Sequence, residues 1–179
     1  MNSSIAASMQ SLLASFAAFV AVLFLYSGVS KLSAVSAFSD DLRLIPYFPD
    51  RFARGAAITI SSLETATGIL ILFDYPAAKL LAVALLITFC AVAWLAIVKD
   101  QRVPCHCFGI DHHDFLSWST IVRNVLLALG LLCTIAFGAR HSPFLTEIHG
   151  VIGFLLLLTV NQALQNHREF IHSFRAPLQ

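Results

Sequence analysis

The sequence predicts an all-α membrane protein, a polytopic helical bundle with a four-helix core and a fifth transmembrane helix behind it. Three observations predict this class. Of 179 residues, 58% are hydrophobic and 12% charged, where a soluble domain carries about 25% charge. The mean hydropathy is +0.81. Apolar runs recur along the chain, each near the ~20 residues that cross a bilayer as a helix. These runs take up most of the sequence, so a single membrane domain over 1–179 is expected, with no separate globular unit. The net charge of +1 and the lack of any Lys/Arg run leave no basic surface for phosphates. That excludes nucleic-acid binding and makes the lipid bilayer the first partner.

Taken in order, the first element is span one, about 9–30. No charge occurs before Lys31, and residues 12–29 alone approach bilayer length. A cleavable leader would have a basic start and a shorter apolar core, so the segment is expected to stay as a membrane helix. Residues 31–54 change character: Asp40, Asp41, Arg43, Asp50, Arg51 and Arg54 alternate with Leu42, Leu44, Ile45, Tyr47 and Phe48. This pattern predicts an amphipathic segment lying on the membrane surface. Span two, 55–73, carries one acid, Glu64, and ends at Asp74-Tyr75-Pro76, a turn short enough for a tight helical hairpin. Span three, 77–98, follows at once. A polar loop, 99–116, leads to span four, 117–138, with Arg123 and Asn124 in its second turn. Span five, 148–165, ends in a polar tail containing His167, Arg168, His172 and Arg175.

With five spans, the 31–54 segment, the 99–116 loop and the tail share one side of the membrane. Lys31, Arg43, Arg51, Arg54, Lys99, Arg102, Arg168 and Arg175 lie on that side, against Lys79 and Arg140 on the other. Counted alone, this bias makes the loop side cytoplasmic.

The four cysteines are of two kinds. Cys90 and Cys133 lie inside spans, where a thiol is an ordinary helix-packing residue. At ~1.5 Å per residue they sit roughly 13 Å and 24 Å below the loop side, too far apart in depth to pair. Cys105 and Cys107 instead stand in the polar loop as Val103-Pro104-Cys105-His106-Cys107-Phe108-Gly109. A disulfide closed across one residue is strained and readily exchanged, which suits it to passing electrons rather than stapling a fold. A protonated His106, with Lys99 and Arg102 nearby, would favour the thiolate. The same loop supports a second reading, since Cys105, His106, Cys107, His112 and His113 supply soft sulfur and imidazole ligands for copper or zinc. Against it, closed zinc sites space their cysteines by two to four residues.

An ionisable side chain inside a span is expensive and marks a functional candidate. Glu64 is ~14 Å and Arg123 ~9 Å down from the loop side by helix rise. Lys31 closes span one on that same side, so Lys31, Glu64, Arg123 and Asn124 are expected to form one polar cluster beneath the cysteine loop. A plain interhelical ion pair accounts for the same residues equally well.

Several of these pieces resemble a known family. Leu25-Tyr26-Ser27-Gly28-Val29-Ser30-Lys31-Leu32 resembles the Ser-Gly-x-x-Lys-Leu element that closes the first span of the MauE and DoxX-like membrane proteins. Leu63-Glu64 with Gly68 is similar to their second-span acid, and Trp118 with Arg123-Asn124 resembles the start of their fourth span. Pro104-Cys105-His106-Cys107-Phe108-Gly109 is similar to the Cys-Gly-Cys-Phe-Gly loop of the methylamine utilisation MauE family, with His106 where glycine is common. The resemblance covers about residues 15–138. It implies a role in maturing the disulfide-rich small subunit of methylamine dehydrogenase, beside a periplasmic thioredoxin-like, MauD-like partner. It also implies a bacterial inner-membrane location with the Cys105–Cys107 loop on the periplasmic side, against the basic-residue count but in keeping with the compartment where disulfides form.

The leading expectation is therefore a thiol–disulfide redox protein. Cys105 and Cys107 would carry the exchange, and a membrane quinone would recharge the pair at Lys31, Glu64, Arg123 and Asn124. The alternatives are metal handling at the Cys-His-Cys and His-His loop, and a non-catalytic membrane subunit of a redox complex.

Overall fold

The computed structural model describes residues 2–45, 47–100 and 117–137, with side chains described from Ser8 onward. The fifth span and the 101–116 part of the loop lie outside the described residues. Everything regular among the described residues is helical: α1 (Asn2–Ser33), α2 (Val35–Arg43), a single 3₁₀ turn (Asp50–Phe52), α3 (Ala53–Leu72), α4 (Pro76–Val98) and α5 (Trp118–Ala136). Four stretches are long and apolar enough to cross a membrane, namely Ser8–Ser33, Asp50–Leu72, Pro76–Val98 and Trp118–Ala136.

The helices close into a ring in which α1 packs on α3, α3 on α4, α4 on α5, and α5 back on α1. Each is antiparallel to its neighbours, as contacts such as Gly28 with Ser61 and Thr65, Gly68 with Ala21 and Phe16 with Gly130 require. The core is built of Ala17, Val20, Ala21 and Phe24 from α1, Ile71 from α3, Ala82, Leu85 and Leu86 from α4, and Leu127 and Leu131 from α5. In lipid there is no hydrophobic drive between helices, so close backbone approach must supply the contact. Two glycines supply it reciprocally between α1 and α3. A Cβ on Gly28 would stand 2.7 Å from the Thr65 amide nitrogen and 2.9 Å from the Ser61 carbonyl oxygen, and one on Gly68 would stand 2.8 Å from the Ala21 carbonyl oxygen. Several hydroxyls in the spans turn back on their own helix, as in Ser61 to the Ala57 carbonyl at 2.7 Å and Thr67 to the Leu63 carbonyl at 2.6 Å, which satisfies them without a partner helix.

The α3–α4 hairpin is as tight as the sequence predicts. Asp74 takes a left-handed conformation with φ 58°, its N–H donating to the Ile71 carbonyl and the Tyr75 N–H to the Leu70 carbonyl, which is the double bond of a Schellman cap. Pro76 opens α4 at a position where a missing N–H costs nothing. Lys79 then pairs with Asp74 at 2.6 Å across the turn.

At the other end the structure differs from the expected single surface segment over 31–54. Helix α1 continues through Lys31 to Ser33, so Lys31 belongs to the bundle. The amphipathic part is α2, which buries Ser39 and Leu42 and packs on α3 through a small cluster of Leu42, Ala53 and Ala57. The sequence shows where charge begins, at Lys31, but the helix ends only where its backbone bonds end, two residues further on. Trp94 and Trp118 meet edge to face at 5.3 Å where the 101–116 segment leaves and re-enters the bundle, and Lys99 Nζ lies 5.4 Å from the centre of the Tyr47 ring. Aromatic rings and lysine at this level fit a membrane–water interface.

Candidate functional site: a buried charge node

The polar cluster is assembled by every helix of the bundle. Lys31 Nζ donates to both oxygens of Glu64, at 2.7 and 2.8 Å, and the two side chains are 4% and 2% exposed. Helical Cα–Cβ bonds tilt toward the N-terminus, so Lys31, near the end of α1, sends its ammonium inward along its own helix and not outward to the interface. The inward turn brings it level with Ser27, one turn earlier, whose hydroxyl donates to Glu64 Oε2 at 3.4 Å. Two aromatic rings bracket the ammonium: Phe38 of α2 at 5.2 Å and Phe89 of α4 at 5.0 Å from the ring centres. Their negative faces replace part of the lost hydration.

Arg123 and Asn124 reach the same place from α5. With Ser27, Glu64, Leu23, Phe24, Leu86 and Phe89 they line a cavity of about 20 Å³. Asn124 is 3% exposed, and its Nδ2 has no hydrogen-bond partner among the described residues. A cavity of this size takes one water, which needs about 10–15 Å³, whereas a benzene-sized ring needs on the order of 150 Å³. The four residues expected to hold a quinone thus divide by space: Glu64 and Asn124 line room for a water and no ring, and Lys31 is taken up by its ion pair with Glu64. Arg123 is half-buried and also lines a second, larger groove of about 470 Å³ with Phe16, Ser119, Val122, Leu126 and Leu127.

The remaining candidates, Cys105, His106, Cys107, His112 and His113, lie outside the described residues. Among those described, no three His, Cys, Asp or Glu side chains come together as a metal site. Cys90 and Cys133 are both free. Cys90 is half-buried, its Sγ 3.8 Å from the Ile121 carbonyl oxygen, as a packing residue would be; Cys133 faces outward instead of packing between helices.

Sequence reasoning passed over Ser27, Phe38 and Phe89 as members of the node. Ser27 was accessible to it, since Ser27 and Lys31 are four apart and share a helix face. Nothing in the pattern marks Phe38 or Phe89, which arrive from other helices.

Residues 9–137 match the family model described as methylamine utilisation protein MauE, a stretch that contains the node and the whole cysteine loop. The chain is also 30% identical over 141 residues to a methylamine utilization protein MauE of Paracoccus denitrificans, covering 76% of this chain and 75% of that protein. No solved structure matches it.

Proposed function

The chain belongs to the MauE family, and from that premise we propose that it is a membrane thiol–disulfide redox protein that assists disulfide formation in a periplasmic client during methylamine utilisation. The observation that carries this reading is the Pro104-Cys105-His106-Cys107-Phe108-Gly109 sequence, tethered at Asp100 and Ser117 to the end of the bundle where the charge node lies. Two thiols this close form a disulfide that exchanges easily, and exchange proceeds by thiolate attack on a sulfur of that bond. The oxidised pair takes two electrons and two protons from a client dithiol, which leaves as a disulfide. A quinone in the membrane then accepts both electrons and both protons, restoring the Cys105–Cys107 bond. The client suggested by the family resemblance is the methylamine dehydrogenase small subunit, reached through a thioredoxin-like partner. The loop then faces the periplasm of a bacterial inner membrane.

The test is labelling of Cys105 and Cys107 in intact cells with a membrane-impermeant maleimide, in a Cys90→Ser/Cys133→Ser background. Labelling that requires prior mild reduction is the expected result. Labelling that waits until the membrane is opened would put the loop in the cytoplasm and end the periplasmic reading.

A further inference from the structure

The node excludes a ring, so an electron carrier must meet the bundle elsewhere. Among the described residues, the groove between α1 and α5 has the required chemistry. It is an open groove of about 470 Å³, far larger than the node cavity. Its mouth faces lipid, with Val122 exposed and Leu126 62% exposed, so a membrane-soluble molecule enters sideways without crossing water. The floor is shaped by Gly130: a Cβ there would overlap the Phe16 ring, and its absence lets that ring lie on the α5 backbone. The residues with polar side chains that line it are Arg123 and Ser119, the Ser119 hydroxyl sharing a hydrogen bond with Ser117 at 2.8 Å. A cation and a hydroxyl at one end of an apolar slot suit a molecule with a carbonyl acceptor on a flat apolar ring; an acyl chain has nothing to offer a guanidinium.

We propose that this α1–α5 groove is a quinone site, with Arg123 donating to a quinone carbonyl, Phe16 and Leu126 against the ring and tail, and the one-water cavity behind Arg123 linking that carbonyl to Glu64. The inference rests on the redox reading above and adds where its oxidant binds. The balance is that of dithiol oxidation: two S–H bonds break and one S–S bond forms at Cys105 and Cys107, while two O–H bonds form as the quinone becomes a quinol. Ser119 lies two residues past Ser117, where the chain returns from the cysteine loop, so the groove opens at the foot of that loop.

The experiment uses the full chain in phospholipid nanodiscs, a short-chain azido-ubiquinone analogue as photolabel, and decylubiquinone as competitor. Adducts mapped to residues 119–127, removed by the competitor, are expected. Leu126→Trp, which fills the groove from its lipid side, should cut labelling about tenfold, and Arg123→Gln should weaken it by a similar factor through loss of a charge-assisted hydrogen bond. Ile87→Trp, on a lipid-facing position of α4, should leave it unchanged. Adducts spread over lipid-facing residues and insensitive to competitor would show the groove filled by acyl chains and overturn the proposal, as would a competed adduct on other helices. Quinol formation is read in parallel. If it depends on Cys105 and Cys107 while the label maps elsewhere, the groove is wrong and the redox function stands. If the label maps to the groove but quinol formation ignores both cysteines, the quinone site stands and the redox function falls.

Discussion

Lys31 and Glu64 form a charge pair whose energetics can be separated from its position. The ammonium touches both carboxylate oxygens, at 2.7 and 2.8 Å, and neither residue is more than 4% exposed. Removing one partner strands the other charge in a low-dielectric core, a loss of about 3–5 kcal/mol. Replacing both by apolar residues of similar size removes the desolvation cost along with the attraction, and such exchanges fall between neutral and a few kcal/mol stabilising. Lys31→Met and Glu64→Met should therefore each destabilise by about 3–5 kcal/mol, while the double variant returns to within about 2 kcal/mol of the parent. The assay is reversible unfolding in mixed micelles with increasing SDS, followed by tryptophan fluorescence from Trp94 and Trp118. The Arg43–Asp40 pair, at 49% and 68% exposure, is the internal control, since an exposed pair contributes about 0–1 kcal/mol. Additive single losses, with the double variant the least stable of the three, would refute the reasoning: the pair would then be neither dry nor coupled.

The glycines give a prediction of opposite signs. Gly28→Ala and Gly68→Ala drive a methyl into backbone and should each cost about 1–3 kcal/mol, whereas Gly55, with nothing within 4 Å of its Cβ position, should gain about 0.5–1 kcal/mol as alanine in the same unfolding assay. A high-resolution structure should show one water in the node cavity within about 3 Å of Asn124 Nδ2; a dry cavity would remove the proposed link to Glu64. Lys79→Met leaves Asp74 in its left-handed cap without its 2.6 Å partner and should speed proteolysis at the 73–76 turn; Asp74→Gly, which suits the backbone, should restore part of the protection.

The four described spans were legible because crossing lipid demands long apolar runs, and little else in a sequence looks like one. The levels of Lys31, Glu64 and Arg123 were legible for a related reason: helix rise converts residue number into depth. Rotation was not. Depth alone places Arg123 and Asn124 near Glu64, but that both line the node cavity while only Arg123 also reaches a lipid-facing groove depends on the roll of α5. That roll is set by contacts such as Phe16 on Gly130. The bracketing of Lys31 by Phe38 and Phe89 was likewise invisible, because it needs the positions of two further helices. The end of α1 was misjudged for a local reason, since charged residues mark a change of solvent and not a change of backbone.

The inward turn of Lys31 bears on how the protein is made. While the first helix is alone in the membrane its ammonium has no carboxylate to meet, and a lysine so near a helix end waits with its head at the interface. Its partner is 33 residues further along the chain and enters only with the second span. The charge pair can therefore form only once the second span is in the membrane, so the first helix reaches its final depth and roll as the second arrives.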